Sequence, residues 1–220
     1  HLLDIGEGEG AHDLSIGQLD EFYKAARFKF DHEADFKQRS RARVILLQAG
    51  DSTTLALWHT LIEESKKYFM KVYERLNVRL TQADFVGESF YNESLGPVTN
   101  ELQGLGLLTK SRGALCLFPG SFKNRDGEAM PLIVQKTDGG YGYDTTDLAA
   151  LRYRITALGA TRLIYVIGTP QKLHLDLLFQ AGRDAGWIGP HVSTEHVGFG
   201  SVLGPDGKML RSRAGVAVRL

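Results

Sequence analysis

The chain has 220 residues, with 26 Lys and Arg against 26 Asp and Glu. Zero net charge argues against a histone-like or polybasic binder, although a local basic patch stays open. A hydrophobic content of 43% and a charged content of 24% argue for a folded chain with a real core, in one large domain or two small ones.

No apolar run approaches the roughly 18 residues of a membrane helix; the best, Leu163 to Ile167, is five long. The single cysteine, Cys116, rules out an internal disulfide and is compatible with a reducing, cytoplasmic setting. The chain opens on His1 without a signal-like segment and stops at Leu220 after a basic stretch, so it reads as an excised piece of a longer protein.

In chain order, Gly6-Glu7-Gly8-Glu9-Gly10 has the wrong spacing and charge to cradle phosphate and reads as a flexible acidic loop. Residues 15–77 read as helical. Leu19, Phe22, Tyr23 and Ala26 form one apolar stripe, and Phe36, Ser40, Arg43, Val44 and Leu47 a weaker one. Ala49-Gly50 ends that helix and Asp51-Ser52 caps a third. On the third, Leu55, Trp58, Ile62, Ser65, Phe69, Val72 and Leu76 mark the buried face, and Glu63, Glu64, Lys66, Lys67, Lys71 and Glu74 a solvated one.

Phe85 to Tyr91 reads as a short strand broken by Gly87, and Leu95 to Leu108 as a helix ending near Gly104 and Gly106. Ala114–Phe118 and Leu132–Lys136 are strands, with an Asp126-Gly127 turn between them, which predicts a hairpin. From residue 132 strand and helix alternate: a helix over 145–158, a strand over 162–167, a helix over 171–185 and a strand near 195–202. That order predicts α/β architecture, half of a doubly wound parallel sheet whose ligands bind beyond the strands' carboxyl ends.

Gly139-Gly140-Tyr141-Gly142 is not a dinucleotide fingerprint, and Gly204-Pro205-Asp206-Gly207-Lys208 is not a Walker loop. No Cys/His spacing fits a zinc site. Three groupings could carry chemistry. Tyr143 and Asp147, at i, i+4 on a starting helix, could clasp a cation such as a guanidinium, or Asp144, Thr145 and Asp147 could merely cap the helix. Gln171 and His174 could meet a polar or anionic ligand at a helix start, or form a surface turn. Lys208-Met209-Leu210-Arg211-Ser212-Arg213 could close on a polyphosphate, or be an exposed basic hairpin.

Lys208-Met209-Leu210-Arg211-Ser212 resembles the K-M-S-K-S signature of class I aminoacyl-tRNA synthetases. Together with Gly87-Glu88-Ser89-Phe90-Tyr91, the stretch from Gln135 to Asp147, and His196-Val197-Gly198-Phe199-Gly200, it makes nearly the whole chain similar to the arginyl-tRNA synthetase family. The resemblance implies the second half of a Rossmann-like parallel nucleotide-binding sheet with two insertions. Residues 1–14 would end a preceding core segment, 15–83 form a helical insertion and 84–88 a core strand. A small α+β insertion would span 89–131, and 132–220 would complete the core.

It also implies roles. Glu88, Tyr143, Asp147 and Gln171 would surround arginine. His196, Val197 and Phe199 would border adenine. Lys208 and Arg211 would steady the triphosphate, with Ser212 in the same catalytic loop. The implied substrates are L-arginine, ATP with Mg2+ on its phosphates, and tRNA(Arg), and the full-length form is expected to be a cytoplasmic monomer. The family's H-I-G-H-type sequence, its amino-terminal tRNA-contacting domain and its anticodon-binding helices do not occur in these residues, so the segment alone is expected to be inactive. The rival is a non-catalytic relative that binds arginine or RNA.

Overall fold

A computed structural model of the chain describes residues 1–5, 16–201 and 203. The acidic loop over 6–10 and the basic loop carrying Lys208, Arg211 and Ser212 lie outside the described residues. The described residues fall into two units, His1–Phe85 and Val86 onward. Among them no helix is long and apolar enough to cross a membrane.

The first unit is helical. A short α1 (Leu2–Ile5) precedes α2 (Ile16–His32), α3 (Ala34–Gln48) and α4 (Ser52–Arg75). Gly50 takes a positive φ of 81° and turns the chain out of α3. Asp51 then caps α4, accepting from the Thr54 amide at 2.8 Å and the Thr54 hydroxyl at 2.6 Å. The stripes are less regular than their spacing implies. Phe36 is buried, but Val44 is exposed on the same helix. Phe69 on α4 and Leu76 just past its end are exposed, whereas Glu64, assigned by its charge to the solvated face, is buried and accepts from Lys67 Nζ at 2.6 Å. Pairing with a partly exposed lysine lets that carboxylate lie low on the helix flank.

The second unit is mixed α/β. It opens with α5 (Asn92–Gly104), followed by β1 (Leu108–Ser111), β2 (Ala114–Leu117) and β3 (Leu132–Gln135). These strands form one antiparallel sheet in the order β1-β2-β3. β1 falls partly within the residues expected to be helical. Ser111 pairs with Ala114 across Arg112-Gly113, both with positive φ, so a two-residue hairpin claims those residues instead.

Beyond β3 come α6 (Tyr143–Thr156), β4 (Arg162–Gly168), α7 (Lys172–Asp184) and β5 (Ser193–Phe199). β4 and β5 pair in parallel from Arg162 opposite Ser193 to Gly168 opposite Phe199, with α7 as the crossover.

Two expectations are corrected. The strand over 132–136 does not join the parallel series; it pairs antiparallel with β2, in the hairpin expected from the Asp126-Gly127 turn, which returns the chain beside β2. Gly127 has a φ of 82° there, and Lys123 bridges Ala129. The strand over 84–88 is also not formed. Phe85 and Gly87 are extended, but 3-10 turns at Gln82–Asp84 and Glu88–Tyr91 flank them, and among the described residues no strand pairs with this stretch. Extended backbone without a neighbouring ladder is not a strand.

The core of this unit joins Val98 and Leu102 of α5, Leu117 and Val134 of the sheet, Leu148 and Leu151 of α6, and Leu178 of α7. One carboxylate closes it from outside: Glu101 accepts from Trp187 Nε1 at 2.8 Å. The same carboxylate lies 2.7 Å from Arg152 Nε, an ion pair whose angle falls short of a hydrogen bond.

Leu178 is fully buried. Leu178→Ala should therefore cost about 2–5 kcal/mol. Urea unfolding followed by Trp187 fluorescence, with Trp58 replaced by Phe, measures it; a loss below about 1 kcal/mol would show a core that collapses around the cavity.

Candidate functional site

The site is assembled where the first turns of α6 and α7 meet. Gly142, extended at φ −127°, releases the chain into α6, and Tyr143-Asp144-Thr145-Thr146-Asp147 forms its opening turn. Two side chains of this turn fasten it to β3. Asp144 Oδ2 accepts from the Ile133 amide at 2.7 Å, and the fully buried Thr145 hydroxyl donates to the Val134 carbonyl. Hydroxyl and carboxylate thus replace the local caps such residues usually form.

From α7, His174 reaches across. Its Nε2 lies 2.7 Å from Asp147 Oδ2 and its Nδ1 3.7 Å from Asp144 Oδ1. Its ring meets Tyr143 edge-on with centroids 5.3 Å apart. A carboxylate only accepts, so Nε2 carries the proton in this contact. Asp144 is 7% exposed and Tyr143 65% exposed, so the cluster grades from a buried acid to an open phenol.

The electrostatics follow from that gradient. Burial pushes the Asp144 carboxyl above its ordinary range, against the lowering effects of the Ile133 amide and His174. The hydrogen bond to Asp147 lifts His174 above the usual imidazole value, against the effect of its own burial. The charge of Asp144, followed by desolvation, raises the Tyr143 phenol.

The structure brings together Tyr143 and Asp147 as their spacing requires, and adds Asp144 and His174. Gln171 closes the 3-10 turn Thr169–Gln171 one helical turn before His174 and is exposed. Glu88 is exposed in the turn Glu88–Tyr91. The ring of Phe90 from that turn rests 5.1 Å from Tyr153, toward the other end of α6. No hydrogen bond or ion pair among the described residues links Glu88 or Gln171 to the cluster.

On β5, Val197 and Phe199 are exposed, while partly buried His196 donates from Nε2 to the Ile167 carbonyl at 2.8 Å. That donor braces the β4–β5 ladder, so His196 offers shape to a ligand rather than this hydrogen. Beside it lies a cleft of about 460 Å3 whose lining includes Thr169, Lys172, Arg183 and His196. Among the described residues no group of three or more His, Cys, Asp or Glu side chains could hold a metal ion.

Spacing alone did not expose the Asp144–His174–Asp147 arrangement. Asp144 reads as a cap, and His174 reads as a partner for anionic or polar ligands. The available signal was two acids three apart in a first helical turn, followed by a histidine in the first turn of the next helix.

All 220 residues match the family model described as tRNA synthetases class I (R), catalytic domain. The chain belongs to this family. An arginine--tRNA ligase of Thermobifida fusca is 51% identical over 220 residues, covering 100% of this chain and 38% of that protein. One from Frankia casuarinae is 48% identical over 220 residues, covering 100% of this chain and 37% of that protein. Among solved structures, the arginyl-tRNA synthetase of Plasmodium falciparum aligns with a TM-score of 0.66 and 34% identity, over 85% of this chain and 34% of that one. This class I synthetase chain thus spans well under half the length of the relatives it matches.

The His174–Asp147 contact has a readable pH signature. A raised imidazole pKa means its stabilising contribution is whole below the unfolded-state value of about 6.5 and drains away as pH rises through the folded value. The His174 ring proton should titrate above the ordinary imidazole value of about 6.5 in an NMR series, and Asp147→Asn should lower it. An unshifted His174 would show that the contact does not persist in solution.

Proposed function

We propose that the chain is the central catalytic segment of a cytoplasmic arginyl-tRNA synthetase, monomeric in its full-length form. It would activate L-arginine with ATP and pass the arginyl group to tRNA(Arg). The observation that carries the reading is the acidic cluster at the start of α6: Asp147, with Tyr143 on the same helical face and Asp144 behind it. A guanidinium is planar, always charged and best met by a carboxylate. Sequence similarity to arginine--tRNA ligases along the whole chain supports the same substrate.

In the first step the arginine carboxylate oxygen attacks the α-phosphorus of ATP, the bond to the β-phosphate oxygen breaks, and pyrophosphate leaves. In the second, a hydroxyl of the tRNA's terminal ribose attacks the acyl carbon and AMP departs. Neither step needs a side-chain nucleophile. The protein's task is to position the reactants and neutralise charge.

Asp147, Tyr143, Gln171 and Glu88 would hold arginine. His196, Val197 and Phe199 would border the adenine. Lys208 and Arg211, with Ser212 beside them, would meet the phosphates. Mg2+ enters with ATP, on its phosphates, and no step here is routed through a protein-held ion.

The β4–α7–β5 unit is read as part of a Rossmann-like sheet. Parallel strands are normally covered on both faces. Here Ile164 and Val166 of β4 and Val197 and Phe199 of β5 are all exposed, which supports a larger sheet completed by residues outside those described.

In a full-length ligase carrying this segment, Asp147→Ala should raise the KM for arginine roughly a hundredfold while moving the KM for ATP little. Steady-state ATP–pyrophosphate exchange with saturating tRNA checks this, and equal small effects on both constants would remove Asp147 from the arginine site. In the same assay residues 1–220 alone should be silent, because the nucleotide pocket needs both halves of its sheet. Robust exchange from them would overturn that division of the site. Silence of the full-length ligase would favour a non-catalytic binder.

A further inference from the structure

The placement of His174 goes beyond holding two helices together. Asp147 gives one oxygen, Oδ2, to His174, and its Oδ1 takes no hydrogen bond from the described residues. The imidazole is mostly buried, with the side chain 18% exposed, while the Asp147 side chain is 41% exposed. The anchor therefore lies inside and the anchored group faces out.

The torsion that turns a carboxylate about its stem is broad. A guanidinium discriminates between orientations because it pairs best in the plane of the carboxylate. Something must set that plane, and His174 is the group bonded to it. Asp144, behind the ring, gives the imidazole a second acid at 3.7 Å. Two carboxylates this close disfavour each other's charge unless a cation stands between them.

We propose that His174 is a positioning residue for arginine recognition: it fixes the orientation of Asp147 without touching the substrate itself. This inference rests on the arginine-site reading given above and assigns His174 a role distinct from that of Gln171 in the preceding turn.

The test is a double-mutant cycle in a full-length ligase carrying this segment. His174→Ala should raise the KM for arginine roughly ten- to a hundredfold, the range for losing a hydrogen bond to a charged group, with kcat and the KM for ATP nearly unchanged. His174→Gln should recover much of the loss, because its amide can still donate toward Asp147, and it also guards against a variant that fails to fold. Added to Asp147→Ala, His174→Ala should change the arginine KM by less than about twofold, since a residue acting through Asp147 has nothing left to act on.

Four results would overturn the proposal. His174→Ala could tighten arginine binding, which would make the imidazole a competitor for Asp147. It could leave the arginine KM unchanged. It could raise both KM values and lower the melting temperature together, with no rescue by Gln, which would make the role purely structural. Its effect could multiply in full on Asp147→Ala. If Asp147→Ala is itself silent, the arginine-site reading falls and the proposal falls with it. If Asp147→Ala acts and His174→Ala does not, only the proposal falls.

Discussion

The opening turn of α6 is the constraint on which the site depends. Asp144 and Thr145 bond the backbone of β3, so the helix cannot rotate about its axis without leaving the Ile133 amide and the buried Val134 carbonyl without these partners. A buried polar group without a partner costs about 1–3 kcal/mol. Fixing the rotation of α6 fixes the direction of Tyr143 and Asp147, which sit on the same turn. Packing of Leu148 and Leu151 against the core holds the same helix along its length. The two kinds of contact divide the work: apolar burial sets where the helix lies, and the polar stitches set how it is turned.

The second anchor comes from α7, which is the crossover between two parallel strands. Such a connection delivers the amino end of the helix close to the carboxyl end of the preceding strand. Thr169–Gln171 makes this passage in a single 3-10 turn, with Pro170 supplying the fixed backbone angle. His174 consequently reaches Asp147 from a short, stiff connection. The chemistry sits between two helix starts whose positions are fixed by different sheets, β3 for α6 and β4 for α7.

Much of this was legible in the residues. The i, i+4 placement of Tyr143 and Asp147, the helix–strand alternation after residue 143 and the Asp51 cap all follow from local rules, and the structure shows each of them. What was not legible depends on partners distant in sequence. The run from Phe85 to Tyr91 has strand composition, but composition cannot supply a neighbouring strand. Leu132–Gln135 divides the two cases: the Asp126-Gly127 turn announced its hairpin with β2, and only its further reading as a member of the parallel series failed. Charge alone placed Glu64 outside, whereas a lysine three residues on lets it lie buried. Asp144 was hidden for a related reason: a helix-cap motif and a carboxylate reaching to another element have the same one-letter signature.

Glu101 carries a consequence for how the chain is made. It joins α5 to Trp187, 86 positions later in the chain. During synthesis at about 5–20 residues per second, α5 must wait roughly four to seventeen seconds before Trp187 emerges. Throughout that interval the stripe of Leu95, Val98 and Leu102 has no finished core to enter. The nascent chain therefore offers a timed window to ribosome-associated chaperones, opened by α5 and shut by the arrival of a single tryptophan.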